Sequence, residues 1–578
     1  QLINDSIVKF ILRELDLPLT NLIYNSGGNF YILAPTELNP TLGEIRKVIN
    51  EIIFKHHKGD IYCALANIGM SVEDFSPETS ELPKKWAELG TELGLQKRRK
   101  FADMAVDKYA DLFEPQQKGG SEPRCDICKE ERELRYKNDL DHGNKCYFCW
   151  SFENLGQIVG RSHFLIEADI TDIKGDIHFP KEEGEDIYLT VLADFGVFYR
   201  FTDKKLVGVR LQELIELPVG PQNVTLLHLN ETDFLSDALT FEKDYQEGVA
   251  RGFKFLANTT PWAWKKDEPG NDITNEKPVV ATFEDLAEKA TGVKRWACLR
   301  MDVDSLGDIF KYSFKGRSSL SRAATLSAQF SLFFEGYINE VLKEFNKFDN
   351  GNADHIYVIY SGGDDSCIVG SWDKLVDAAH RIYKEFREFS GRNSKVTLSG
   401  GISLHKEKYP MYKAADTALN FLESAKNYEH QQVVNEEVKK KDAFTFLGRS
   451  LSWTQYEVCI ELKDILLKMI NGKDMGGTKM KLSRGFLQKL LMVYYLYEKS
   501  KKELLGKTIS LAQVEKALLY NKWRWRLVYN LSKESGEFKE ELDRLQSIVF
   551  NSNHINLAID YLNVPVRWVE LLTREKED

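Results

Sequence analysis

Ile356-Tyr357-Val358-Ile359-Tyr360-Ser361-Gly362-Gly363-Asp364-Asp365-Ser366-Cys367-Ile368-Val369-Gly370 is the stretch on which the fold turns. Two apolar, β-branched runs flank a Gly-Gly connection, the composition of a β-hairpin, so Asp364 and Asp365 stand at its tip. Paired carboxylates on a rigid turn attract divalent cations such as Mg²⁺, which takes oxygen ligands and keeps positions open for substrate phosphates. Gly362 and Gly363, lacking Cβ atoms, let a nucleotide approach the backbone. Alone, such a turn also reads as a solvated surface loop.

A second acidic element shifts the balance. Trp296-Ala297-Cys298-Leu299-Arg300-Met301-Asp302-Val303-Asp304 is strand-like and ends in Asp-x-Asp. A helix-length segment, 318–342, separates it from the hairpin; an amphipathic segment, 374–389, and a strand, 395–403, follow. The order β-α-β-β-α-β is the split βαβ arrangement, in which the first strand and the hairpin are sheet neighbours. Asp302 then converges with Asp364 and Asp365 on one metal cluster, while Asp304 is either a ligand or an orienting group. Two metals roughly 3.5–4 Å apart activate an attacking hydroxyl and stabilise a leaving pyrophosphate. That is the chemistry of nucleotidyl transfer.

Phe253-Lys254-Phe255, Phe283-Glu284-Asp285-Leu286, Met301-Asp302-Val303-Asp304-Ser305-Leu306-Gly307, Ser318-Ser319-Leu320-Ser321-Arg322, Tyr360-Ser361-Gly362-Gly363-Asp364-Asp365 and Ala425-Lys426 resemble the large, Csm-type subunit of type III CRISPR effector complexes. The resemblance is close between residues 250 and 430 and follows domain order elsewhere. That family carries a palm domain related to GGDEF cyclases. It joins ATP into cyclic oligoadenylate through 3′–5′ bonds, releasing pyrophosphate, once target RNA is bound. The resemblance implies that Asp302, Asp364 and Asp365 are catalytic ligands of Mg²⁺ or Mn²⁺, and that Ser361, Gly362, Gly363, Ser318, Ser321 and Lys426 contact the substrate ATP. It also implies partners: the small subunit, the subunit that binds the crRNA 5′ tag, crRNA and target RNA. By residue type alone, Ser318, Ser319 and Ser321 equally cap a helix start. Lys426 lies about one turn from its GGDEF counterpart and equally reads as a solvated lysine.

The expected architecture is α+β and multidomain, with two ferredoxin-like (βαββαβ) palms: a degenerate first palm over 1–115, a zinc ribbon over 116–155, a connector domain over 156–270, the catalytic palm over 271–435 and a helical domain over 436–578. In the first palm, Ser26-Gly27-Gly28-Asn29-Phe30 repeats the hairpin turn. An amide and a phenyl ring cannot replace two anionic oxygens, so this copy is expected to fold without metal. Helices are expected over 6–15 and 41–54 and a strand over 60–71; the first strand of the palm order is missing. With no Met before Gln1, the chain reads as starting inside a domain. It contains no His-Asp dipeptide, so no HD-type nuclease function is expected.

Cys125-Asp126-Ile127-Cys128 and Cys146-Tyr147-Phe148-Cys149 are two C-x-x-C pairs separated by 17 residues. Four thiolates from two knuckles make a closed tetrahedral S₄ site for a structural Zn²⁺; two redox pairs are the alternative. In the connector, β-type alternation appears at 162–168, 186–193 and 224–229. From residue 443 onward the chain reads as helical, with apolar stripes at 486–496 and 523–528 expected to form a bundle core. The Trp/Arg mixture of the second stripe also suits a partner subunit or RNA, and the basic run 97–100 is either a solvated helix face or an RNA contact.

A net charge of −10 over 578 residues argues against a surface that binds nucleic acid throughout, so RNA must meet local basic patches. No run of 18 or more apolar residues suggests a membrane span, and the cytoplasm is the default location. Besides the cyclase, two readings remain: a stand-alone GGDEF-like dinucleotide cyclase and a non-catalytic scaffold for RNA.

Overall fold

A computed structural model describes residues 2–76, 81–114, 119–120, 123–139, 143–170, 186–202, 222–234, 249–265, 277–312, 319–346, 354–431, 438–475, 478–505, 522–534, 536–550 and 558–574. It resolves into two compact units. One comprises 1–260, 306–339 and 362–364, the other 261–305, 340–361 and 365–578.

In the first unit, α1 (Leu2–Glu14) precedes the hairpin of β1 (Leu22–Ser26) and β2 (Asn29–Ile32), and α2 (Leu42–His57) follows. Gly27 and Gly28 both take positive φ, 58° and 73°, the requirement of a two-residue type I′ turn. Ile7, Phe10, Ile11, Ile45, Ile49 and Ile53 form one core. The strand expected over 60–71 is not formed. Its backbone is held instead by α2: Asn50 Nδ2 donates to Cys63 O at 3.0 Å, and Cys63 N donates to Asn50 Oδ1 at 2.9 Å. With its backbone bonded to a side chain rather than to a strand, 61–70 lines an apolar cavity of about 880 Å³ together with α1 and β2.

Helix α3 (Leu82–Arg98) ends in the basic run, and the ribbon strands β3 (Leu134–Asp139) and β4 (Gly143–Cys146) lead into α4 (Tyr147–Arg161). A four-stranded sheet of β5 (Phe164–Asp169), β6 (Val197–Thr202), β7 (Gln222–Leu229) and β8 (Val249–Lys254) has the order β6-β5-β7-β8. The 186–193 segment is a helix, α5 (Asp186–Ala193), rather than the expected strand. Its buried Tyr188, Val191, Leu192 and nearby Phe195 recur at i, i+3, i+4 and i+7, a helical period. The ion pairs Lys254–Asp5 and Lys9–Glu167, both at 2.6 Å, tie the sheet to α1. This unit also takes in α6 (Leu306–Tyr312), which packs on α3, and α7 (Leu320–Ser331), which packs on β1.

The second unit holds the palm. Strands β9 (Trp296–Val303), β10 (Ile356–Gly362), β11 (Asp365–Ser371) and β12 (Leu398–His405) stand in the order β10-β11-β9-β12, the 2-3-1-4 order of a split βαβ sheet. Helices α8 (Trp372–Phe389) and α9 (Met411–Lys426) complete it. The chain after 443 is not helical from its start. β13 (Ala443–Phe446) pairs parallel to β12 and carries β14 (Arg449–Ser452) beyond it, extending the sheet to six strands. Only four residues long each, these strands carry too little alternation to stand out from the helices that follow. Those helices are α10 (Trp453–Asn471), α11 (Gly485–Leu505), α12 (Lys522–Lys533), α13 (Lys539–Phe550) and α14 (Asn563–Leu572). They enclose a core that includes Leu466, Phe486, Leu490, Trp523, Leu527 and Val566. Among the described residues no helix is long and apolar enough to cross a membrane.

Candidate active site and cysteine cluster

Register brings two of the three predicted acids together. The expected trio is not formed, since among the described residues Asp302, Asp364 and Asp365 do not gather their oxygens within the 4.8 Å that a shared metal cluster needs. Antiparallel pairing sets Asp302 of β9 opposite Asp365 of β11, and directly opposed residues project to one face with Cβ atoms about 4.5–5.5 Å apart. Arg300, two residues before Asp302, shares that face. Gly363, at φ +67°, begins the two-residue connection between β10 and β11. In the N-terminal hairpin of β1 and β2 the connection is Gly27-Gly28; here it is Gly363-Asp364, one residue further along. The turn therefore carries one aspartate and the strand the next.

Lys426 is the last residue of α9, and its Nζ donates to Asp302 Oδ2. That contact depends on Gly401 of β12, since a Cβ there would overlap the backbone of Phe421 and Leu422. Gly401→Ala is expected to cost about 1–3 kcal/mol through this overlap, read as a lowered denaturation midpoint. Burial raises the pKa of Asp302, and Lys426 partly offsets the effect. Tyr360 OH donates to Asp365 Oδ2, Arg300 Nη2 donates to Tyr360 OH at 3.3 Å, and Arg300 lies 3.8 Å from the same carboxylate oxygen. Burial, then Asp365, pushes the Tyr360 phenol up, so it stays a donor. Neither Arg300 nor Tyr360 was singled out from sequence. Strand parity was the available signal, since residues 300 and 302 must share a face.

Asp304 is buried, 2% exposed, and turned away into the protein. Its Oδ2 accepts from Thr397 Oγ1 at 2.8 Å and Asp442 N at 2.9 Å, joining the ends of β9 and β12 to the turn before β13. Burial raises its pKa. A raised carboxylate pKa favours the fold at low pH and is a liability as pH rises through the folded value. Asp304→Asn, which keeps an acceptor without charge, should therefore melt no lower than the parent at pH 8. Asp304→Ala strands two donors and should lose about 1–3 kcal/mol; thermal melts of the two variants at pH 5 and 8 check this.

Ser361 is buried, and its hydroxyl has no hydrogen-bond partner among the described residues. Ser319 caps α7 by accepting from Arg322 N at 3.3 Å, and Ser321 is exposed in the first turn of α7. Ser318 lies outside the described residues.

The cysteines form a separate centre. The sulfurs of Cys125, Cys128, Cys146 and Cys149 lie within 4.8 Å of one another, a group able to hold a metal ion. Cys125 and Cys146 are fully buried, and Cys149 N donates to Cys146 Sγ at 3.4 Å. Hydrogen bonding from Cys149 draws the Cys146 thiol down, and the same contact pushes the Cys149 thiol up. Four sulfur donors with no open position suit Zn²⁺ in a structural role.

Residues 295–434 match the family model described as Cas10/Cmr2, second palm domain, and residues 1–118 match Csm1 subunit domain B. A Methanocaldococcus jannaschii protein named CRISPR system single-strand-specific deoxyribonuclease Cas10/Csm1 (subtype III-A) is 31% identical over 469 residues, 77% of this chain and 54% of that protein. The Thermococcus onnurineus protein of the same name is 27% identical, over 86% of this chain and 58% of its own. The chain thus spans little more than half the length of these relatives. In fold it is similar to a Csm1–Csm4 cassette in complex with pppApA, with a TM-score of 0.63 at 21% identity, covering 99% of this chain and 65% of that one. A cassette in complex with cA4 gives 0.61 at 22% identity, with the same coverage.

Proposed function

The chain belongs to the Cas10/Csm1 family of large CRISPR subunits, and from that premise we propose that its second palm joins ATP into cyclic oligoadenylate within a type III-A effector complex. The observation that carries this reading is the cross-strand pair Asp302–Asp365 beside a Gly-Gly hairpin, with Lys426 on one of the two carboxylates. Two hard oxygen donors on one face, one of them desolvated and balanced by an ammonium, fit Mg²⁺ or Mn²⁺. Asp302 and Asp365 would hold the cation, with Asp364 in the adjoining turn as a third donor. When bound, such a cation lowers the pKa of an attacking ribose hydroxyl and neutralises pyrophosphate charge.

The chain's own groups do the positioning. Arg300 and Tyr360 fix the Asp365 carboxylate. Lys426, now on Asp302, has the charge and reach to take triphosphate oxygens instead. Gly362 and Gly363 leave room for the nucleotide, and Ser361, Ser318 and Ser321 are its proposed polar contacts. Most of the acceleration in such transfers comes from placement and charge neutralisation.

The relatives described above carry the name deoxyribonuclease. In this chain the cysteine quartet is the converging metal-type cluster among the described residues, and its closed sulfur set suits structure rather than hydrolysis. We assign it Zn²⁺. The solved relatives are Csm1–Csm4 cassettes; by analogy this chain would meet a Csm4-type subunit and the small subunit, with crRNA and target RNA reaching it through the complex.

Incubating the chain with each NTP and Mg²⁺ or Mn²⁺, alone and with partner subunits and target RNA, tests the reading. An ATP-only cyclic product with pyrophosphate supports it. A GTP-derived dimer would favour a stand-alone cyclase, and no product under any condition would favour a scaffold.

A further inference from the structure

In a chain of net charge −10, one helix of the C-terminal bundle has no acid at all. α12 carries Lys522, Arg524, Arg526 and Lys533 and not one carboxylate. Trp523, Leu527 and Leu531 are buried at i, i+4 and i+8, so one face of the helix is fixed in the core. The opposite face sets Lys522, Trp525, Arg526, Tyr529 and Lys533 in a single exposed stripe. Trp525 is 75% exposed and Tyr529 52%. Rings of this size normally dominate cores and interfaces. Lys533 Nζ lies 4.6 Å from the centre of the Tyr529 ring, and neither Arg526 nor Lys533 stands in an ion pair among the described residues.

We propose that this face of α12 binds single-stranded RNA, with phosphates on Lys522, Arg526 and Lys533 and two successive bases on Trp525 and Tyr529. Cations alone would suit any polyanion. Interleaved aromatics narrow the choice, because unpaired bases stack on ring faces that a duplex cannot reach. Four residues of helix rise by about 6 Å, which places the two rings one splayed nucleotide apart. An acidic protein would pair the cations and leave both rings uncovered. The choice of RNA over DNA rests on the function proposed above, in which target RNA is bound; the stripe itself does not depend on nucleotidyl transfer.

The test is fluorescence anisotropy of a labelled U12 RNA on the full chain at 50 and 200 mM NaCl, with ultraviolet cross-linking to locate the contact. W525A/Y529A is expected to weaken binding at least tenfold while leaving a 12-base-pair RNA duplex unaffected. R526E/K533E should weaken binding and flatten its salt dependence, since each lost phosphate contact lowers the slope by about one. Cross-linked uridine should map to the 522–533 peptide. All four positions lie on the exposed face, and unchanged melting temperatures show that the fold is kept. Unaltered affinity in W525A/Y529A, an equal loss on duplex, or cross-links elsewhere would overturn the proposal. Equal affinity for dT12 would overturn the choice of RNA. None of these readouts needs turnover, so failure here is separable from failure of the proposed synthase activity.

Discussion

Replacing Asp302 or Asp365 with Asn is expected to reduce product formation at least a hundredfold while leaving the palm folded. The two changes remove one anionic oxygen each and preserve shape. β9 is buried on both faces along most of its length, and the sheet's stability comes from residues such as Trp296, Cys298, Leu299 and Met301 rather than from its last carboxylate. Asp302 is if anything a burden on the fold, because burial disfavours its charged form. Asp302→Asn should therefore melt at or above the parent temperature. The effect on rate has the opposite sign: charge neutralisation supplies much of the catalysis in phosphoryl-type transfer, and losing one preorganised group commonly costs about 10²–10³-fold. Lys426→Ala should fall between these and the parent. It removes the proposed triphosphate partner and also leaves Asp302 without its ammonium. Product chromatography from ATP, set beside thermal melts of the same samples, separates lost chemistry from lost fold.

Removing the cysteine centre should produce the largest change in stability. Cys125→Ser/Cys146→Ser takes away the two fully buried sulfurs, and Cys146 also caps α4 by accepting from Cys149 N. β3 and β4 are short and irregularly paired, so beyond the sulfurs the ribbon relies on local contacts such as Asn144 N donating to Asp126 Oδ2 at 2.7 Å and Arg135 over the Trp150 ring. Structural Zn²⁺ contributes apparent binding energies of about 10–16 kcal/mol in small finger peptides. Even a part of that, on the order of several kcal/mol, exceeds what this ribbon can replace. The expected results are one zinc per parent chain and none in the double variant by elemental analysis, with loss of amide protection over 123–161. Finding two disulfides and no zinc in the purified parent would instead favour the redox reading.

How much of this was legible in the sequence depended on how local the determinants are. The palm hairpin was readable because alternation and Gly-Gly chemistry lie within 15 residues, and Asp302 followed from topology alone. The cysteine quartet needed only spacing. What escaped was what other segments decide. Asp442 reaches Asp304 across 138 residues, and no periodicity announces such a contact. The 60–71 segment has apolar content suited to a strand, yet a strand needs a neighbour, and Asn50 holds its backbone instead. The 186–193 run carries β-formers at a spacing that serves a helix. Lys426 was readable as a basic helix end, but only the close approach allowed by Gly401 puts it on Asp302.

The central claim is that carboxylates from two adjacent strands hold a divalent cation together with ATP, and electron paramagnetic resonance of Mn²⁺ addresses it without requiring turnover. Titrated into the parent with ATP, Mn²⁺ should lose its free-ion signal in proportion to chain, and D302N/D365N should leave that signal as it is with ATP alone. Equal Mn²⁺ uptake by the parent and the double variant would contradict the account.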